Sequence, residues 1–86
     1  QELLRSKTDE ASNPLTWQLL AIVYGKSDQL GDAALCLAEK NFLLGDFKEA
    51  ITQAKRAQKK FKKETLEYTR AQDIIDHAND MIKRDF

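Results

Sequence analysis

The chain has 86 residues, enough for one small domain, and 42% of them are hydrophobic, enough for one packed layer of helices. Its 14 basic and 14 acidic residues cancel, so no overall field attracts nucleic acid or an anionic membrane. No apolar run approaches the roughly 20 residues of a membrane span, and no signal peptide is recognisable. The lone cysteine, Cys36, excludes an intramolecular disulfide and leaves the compartment open. We therefore expect no nucleic-acid partner and no direct insertion into a membrane.

The chain begins without methionine and as if in mid-helix, which predicts that it is a piece of a longer protein. Residues 1–12 are expected to be the end of a preceding helix followed by a polar break. Residues 13–86 are expected to form one helical domain. No stretch alternates with a period of two, so no strand is expected. The predicted helices cover about 14–26, 28–44, 46–61 and 65–83.

The first two helices have recognisable starts and apolar stripes. Asn13 and Pro14 provide a side-chain cap and a proline at the first helical position. Ser27 or Asp28 is expected to cap the second helix, which should end at Gly45. The stripe of the first helix is Trp17, Leu20, Ala21 and Tyr24, and the second helix should bury Leu30, Ala33, Ala34, Leu37, Ala38 and Phe42.

The third helix should begin with a capping box, in which Asp46 caps and Glu49 reaches back. Its inner face contains mainly alanines, and the fourth helix has a more polar outer face. The inner residues of the third helix are Phe47, Ala50, Ile51, Ala54, Ala57 and Phe61; those of the fourth are Leu66, Ala71, Ile74, Ile75, Ala78, Met81 and Ile82.

The segment from Phe42 to Ala50 joins two amphipathic helices through one glycine, with an aromatic residue in the turn. Together with alanines at the expected helix contacts, this pattern is typical of tetratricopeptide (TPR) repeats. We predict an all-α fold, a TPR-like right-handed antiparallel helix stack with a C-terminal capping helix. The residues assigned to repeat positions are Trp17, Leu20, Ala21, Tyr24, Ala33, Leu37, Ala38, Gly45, Phe47, Ala50, Ala54 and Ala57.

Two repeat frames fit the sequence, and they are half a repeat apart. One frame begins at Pro14 and uses Trp17 as its first aromatic, whereas the other begins at Gly31 and uses Ala50 as its first second-helix alanine. The helix at 28–44 would then close one helical hairpin and open the next. This sharing is expected of a continuous antiparallel stack.

The order of these elements points to a more specific resemblance than one to TPR proteins in general. Trp17-Gln18-Leu19-Leu20-Ala21, Leu44-Gly45-Asp46-Phe47 and Arg70-Ala71-Gln72-Asp73 occur in this order. Over residues 13–76 the chain resembles the C-terminal TPR region of bacterial M48-family zinc metallopeptidases, the BepA-like periplasmic proteases. The resemblance implies a non-catalytic docking segment of a periplasmic protein. Its expected partners are a protein or peptide, an N-terminal protease domain and outer-membrane assembly proteins.

In such proteases the zinc ion belongs to a His-Glu-x-x-His helix of the catalytic domain. No such motif occurs here, so we expect no catalytic residue, no metal ligand and no cofactor within this chain. The alternative function is a stand-alone TPR adaptor, cytoplasmic in that case, that binds a peptide or helix of a partner. A small enzyme or metal site is a third hypothesis, and the lack of paired catalytic groups argues against it.

Three tempting features have simpler interpretations. His77 lies between two aspartates but is interpreted as a surface residue and not as a metal ligand. Cys36 is interpreted as a small packed side chain. The basic run at 55–63 is interpreted as a solvated helix end whose cations complement the helix dipole.

The carboxylate clamp of chaperone-binding TPRs is absent, because its positions hold Gln18 and Ile22 in one frame and Leu35 and Glu39 in the other. Gln18, Ile22 and Tyr68 are the residues predicted to contact a partner.

Overall fold

The computed structural model describes residues 13–84, and in this range the chain forms helices and no strand. The prediction of an all-α fold is confirmed for these residues. The expected end of a preceding helix at 1–12 lies outside the described residues. The helices are α1 (Pro14–Lys26), α2 (Leu30–Leu43), α3 (Phe47–Gln58) and α4 (Leu66–Arg84).

The chain leaves α1 through a turn in which Asp28 has a φ of +62°. The N–H of Gln29 donates to the Tyr24 carbonyl at 2.9 Å, and that of Asp28 donates to the Gly25 carbonyl at 3.2 Å. These two bonds form a Schellman motif, which satisfies the last carbonyls of α1. The prediction that Ser27 or Asp28 caps α2 is wrong, because Asp28 takes the left-handed position that ends α1.

The turn between α2 and α3 repeats this geometry seventeen positions later. Gly45 has a φ of +82°, its N–H donates to the Phe42 carbonyl, and the Asp46 N–H donates to the Asn41 carbonyl. Glycine adopts this conformation without a Cβ penalty. Asp46 precedes α3 as expected, but its side chain makes no capping hydrogen bond. The predicted capping box is not formed, since Glu49 instead accepts a hydrogen bond from Gln53 at 3.1 Å.

Consecutive helices pack side by side, because connections of three residues return the chain at both of these turns. In addition α2 contacts α4, whereas α1 and α3 do not touch within the described range. Two contacts between α2 and α4 show their direction: Glu39 meets Arg70 and, further along both helices, Phe42 meets His77. Helices α2 and α4 therefore run parallel, side by side on α3.

Alanine dominates the core. Ala38, Ala50, Ala54, Ala57 and Ala71 are all 0% exposed and join Ile74 and Ile75 in one cluster. Small side chains let helix axes approach closely, so these alanines mark the lines of contact. Of the other residues assigned to repeat positions, Ala21 is buried; Trp17, Tyr24, Ala33, Leu37 and Phe47 are half-buried; and Leu20 and Gly45 are exposed.

Several residues predicted to lie inside are exposed instead. Leu30 and Leu66 each stand at the first position of a helix, and a helical side chain leans toward the N-terminus. Neither side chain therefore has a preceding turn of its own helix to pack against. The exposed residues of the predicted stripes are Leu20 (36%), Leu30 (51%), Leu66 (70%) and Met81 (36%).

The two outer helices present different surfaces. On α1, the exposed side chains Leu15, Leu19, Ile22 and Val23 follow helical spacing and form an apolar face. On α4, the exposed positions are mainly charged or polar, among them Asp73, Asp76 and Asp80. The stack thus has one apolar and one polar outer helix.

Gly31 permits a close approach between α2 and the segment that follows α3. A Cβ atom at this position would lie 2.8 Å from the Cβ of Lys60 and 2.9 Å from the Phe61 ring. We expect Gly31→Ala to lower the free energy of unfolding by roughly 1–2 kcal/mol, because overlap outweighs the gain in helix propensity. Gly25→Ala is the matched control, since no atom lies within 4 Å of its added Cβ. Urea unfolding measures both; equal effects of the two substitutions would contradict the close approach.

The two left-handed turn residues provide an opposed pair of substitutions. Asp28→Gly should stabilise the chain by about 0.5 kcal/mol, because glycine relieves the left-handed strain but loses more unfolded-state entropy. Gly45→Ala should destabilise it by about 1–2 kcal/mol, since the new Cβ is strained at positive φ. Thermal unfolding compares them. A neutral Gly45→Ala would show that this turn relaxes freely.

Candidate functional site

A groove of about 200 Å³ runs between α2 and α4 on the side where these two helices touch. Its lining combines two carboxylates, one guanidinium, one imidazole and two apolar side chains. They are Glu39, Phe42, Arg70, Asp73, Ile74 and His77.

Helical spacing explains why these residues share one surface. Glu39 and Phe42 are three positions apart, and Arg70, Ile74 and His77 follow at intervals of four and three. Residues at such intervals project from successive turns of the same helix face. Because α2 and α4 are parallel, the two rows lie opposite each other along the groove.

One ion pair crosses the groove. Arg70 Nη2 lies 3.7 Å from Glu39 Oε2, and the Arg70 side chain is 52% exposed. An ion pair this open to solvent contributes at most about 1 kcal/mol. Burial raises the pKa of Glu39 above its usual value, and the positive charge of Arg70 offsets part of that rise. Because this contact uses Nη2 and the Arg70 side chain is half-exposed, the guanidinium keeps further N–H donors for a bound group.

The apolar part of the groove is fixed from the α2–α3 turn. The Phe42 ring packs edge-on against Phe47, with ring centroids 5.4 Å apart. The same Phe42 ring faces His77 across the groove, with centroids 6.5 Å apart. Phe42 also contacts the alanine core, so its orientation is set by packing on both sides.

The thiol of Cys36 is held in its neutral, protonated form near neutral pH. Cys36 is buried, and burial raises its pKa to about 11, with further contributions from the negative charges of Asp32 and Glu39. Among residues 13–84, no three histidine, cysteine or carboxylate side chains are grouped so that they could hold a metal ion.

The structure separates the three residues predicted to contact a partner. Gln18 accepts a hydrogen bond from Lys40 Nζ at 3.0 Å, which ties α1 to α2. Ile22 belongs to the apolar outer face of α1 and is 44% exposed. Tyr68 lines a different depression, beside the α3–α4 connection. None of the three lines the α2–α4 groove.

Periodicity within single helices does not join the groove residues into a site. From the sequence, Glu39 falls at a position that does not match the carboxylate clamp and His77 is expected at the surface, whereas the structure places both in the groove lining. The signal that could have joined them was the frame beginning at Gly31, which aligns α2 with α4 as equivalent helices. Only the contact between these two helices brings their rows together.

The sequence matches no protein-family model, no curated protein and no solved structure at a significant level. No helix in the described part of the chain is both long and apolar enough to cross a membrane.

The thiol of Cys36 should be slow to react. Because its pKa is raised from 9.0 to about 11, the thiolate fraction near pH 8 falls by about a hundredfold. We expect alkylation by iodoacetamide to be at least about a hundredfold slower in the folded chain than in urea. Comparable rates in the two states would contradict this environment.

The same pKa shift affects stability at alkaline pH. The folded thiol holds its proton more tightly than the unfolded thiol, so its contribution is complete below about pH 9 and is lost as the pH rises through about 11. Cys36→Ala should remove this part of the pH dependence.

Proposed function

We propose that the chain is a non-catalytic protein-interaction module of the TPR type, which holds a segment of a partner protein in the α2–α4 groove. The observation that carries this proposal is the parallel alignment of α2 and α4. It places Glu39 and Phe42 opposite Arg70 and His77. Two aligned rows of mixed side chains suit the recognition of an extended or helical segment.

The packing order supports the repeat frame that begins at Gly31. In a TPR stack the first helices of successive repeats lie side by side. In this frame α2 and α4 are first helices, and they are in contact. The frame that begins at Pro14 would make α1 and α3 neighbours, and these two helices do not touch in residues 13–84.

The groove also suggests the chemistry of its ligand. Arg70 can donate to a carbonyl or carboxylate of the bound segment. Asp73 is exposed and can accept from a backbone N–H or a basic side chain. Phe42 and Ile74 offer apolar contact between them. The best match is a segment that combines an apolar side chain with at least one basic residue.

The resemblance described above extends the proposal to a parent protein. We propose that the chain is the C-terminal docking part of an M48-like zinc metallopeptidase of the periplasm. Zinc would be held by its protease domain and by no residue of this chain. The apolar outer face of α1 supports a longer stack, because a further helix packed on Leu15, Leu19 and Ile22 would cover it. Outer-membrane assembly proteins are the proposed partners.

The groove can be tested with an unfolded protein as the probe. Fluorescein-labelled β-casein should bind the purified chain, and Asp73→Lys should weaken binding by roughly five- to tenfold, because it places a cation beside Arg70. Asp76→Lys is the matched control: it makes the same charge change one turn away, at a position outside the groove. Equal effects of the two substitutions on the anisotropy titration would count against the groove as the docking site.

The parent protein and the lack of catalysis need separate experiments. The coding sequence upstream of Gln1 should encode a signal peptide followed by His-Glu-x-x-His; a cytoplasmic start without this motif would favour the adaptor instead. The purified chain should not hydrolyse casein with or without zinc. Zinc-dependent cleavage by a clean preparation would overturn the non-catalytic reading.

A further inference from the structure

A second surface lies at the other side of α3, where the chain passes into α4. An open depression of about 700 Å³ is formed by the last turns of α3, the connection after it and the start of α4. Four lysines and one glutamate line it, namely Lys55, Lys59, Lys62, Lys63 and Glu64. Phe61 and Tyr68 provide its aromatic lining.

The charge of this region is larger than helix capping requires. Six cations and no acid occur in residues 55–63. A helix C-terminus carries only about half a negative charge, so one or two cations complement it. Between Asn13 and Arg84 the structure pairs Arg70 with Glu39 and Arg84 with Asp80. None of the six cations is thus paired with a carboxylate in this part of the chain.

The rest of the chain makes this patch distinct. The other eight cations are set against fourteen acids, which leaves a net charge of −6 outside residues 55–63. Because charges of one sign repel, clustering them without partners opposes folding and is unfavourable unless a ligand offsets it. The zero net charge of the whole sequence conceals this separation.

The aromatic lining of the depression is held in a fixed place. The Phe61 ring lies against Gly31 and contacts the alanine core. Thr65 orders the connection, since its hydroxyl donates to the Lys62 carbonyl at 2.7 Å and accepts from the Tyr68 N–H at 3.2 Å. Gln58 donates to Gln72 at 2.9 Å and so joins α3 to α4 at this site. A preorganised surface loses little entropy on binding.

We propose that this depression binds an acidic segment of a partner protein that carries a bulky apolar residue among its aspartates and glutamates. The apolar side chain would enter between Phe61 and Tyr68, and the carboxylates would meet the surrounding lysines. This surface is separate from the α2–α4 groove, so the proposal goes beyond docking at that groove.

The surroundings of the site favour a peptide over other polyanions. Asp28 and Asp32 line the adjoining depression together with Lys60, and an anionic membrane would repel them. Single-stranded nucleic acid usually needs a longer basic track with several rings for stacking, whereas this site has two half-buried aromatics.

The test uses the purified chain and a fluorescein-labelled peptide, Glu-Asp-Glu-Leu-Trp-Glu-Asp-Glu. We expect binding that weakens at least about tenfold when glutamines and asparagines replace all its acids, and also weakens as salt rises toward 0.5 M. Replacing Leu-Trp by Ser-Ser should weaken it by about fivefold or more, because the apolar contact is lost. A neutral peptide that binds equally well would overturn the proposal.

Two double variants locate the site. Lys59→Gln with Lys62→Gln should weaken the acidic peptide by about tenfold, since both lysines line the depression. Lys26→Gln with Lys83→Gln removes the same charge from exposed positions outside it and should change the affinity less than about twofold. Circular dichroism verifies that both remain folded. Equal weakening by the two pairs would mean diffuse attraction and would refute a defined site.

Two further probes decide between classes of ligand. Vesicles with 30% phosphatidylserine and a single-stranded oligouridine of twelve nucleotides are titrated under the same conditions. Either one binding more tightly than the acidic peptide, with the same dependence on Lys59 and Lys62, would overturn the choice of partner. Asp73→Lys should not weaken the acidic peptide, because Asp73 lies in the groove. A failure of the groove proposal and a failure of this one are therefore distinguishable.

Discussion

Close helix contact through alanine is the constraint on which the rest of the structure depends. Ala38, Ala50, Ala54, Ala57 and Ala71 have no exposed surface, and they lie where α2, α3 and α4 meet. Since no large side chain within residues 13–84 is fully buried, the helices are positioned by how closely their backbones approach. That approach brings α2 beside α4 and thereby forms the groove. Larger side chains on α3 would separate the two rows that line it.

The two turns between α1, α2 and α3 have the same backbone geometry and bring consecutive helices into contact. Asp28 and Gly45 both take left-handed conformations, and the same pair of backbone hydrogen bonds surrounds each. Each turn joins two helices through three residues, and so short a connection restricts the next helix to a neighbouring position. Aspartate can replace glycine at the first turn because its short polar side chain tolerates this region of backbone space. The two turns therefore share one backbone geometry with different residues at the left-handed position.

Charge is distributed unevenly over a chain whose net charge is zero. The α2–α4 groove mixes both signs, with Arg70 paired to Glu39 and Asp73 in the same lining, whereas four lysines and one glutamate line the depression beside α3. One small scaffold thus presents two surfaces of different chemistry. The aromatic residues divide in the same way: Phe42 belongs to the groove, and Phe61 and Tyr68 belong to the depression.

The sequence by itself determined the elements. Helical periodicity placed four helices within a few residues of their observed bounds, and Gly45 marked the turn between α2 and α3. Local capping was predicted less well, because Ser27, Asp28 and Asp46 are suited to several turn conformations and the neighbouring helix decides among them. Only the tertiary structure decided which helices are neighbours. The sequence predicts partner contacts at Gln18, Ile22 and Tyr68, but the groove lies between α2 and α4 because these helices meet across α3. Periodicity describes one helix face at a time, whereas a binding surface needs two faces in register.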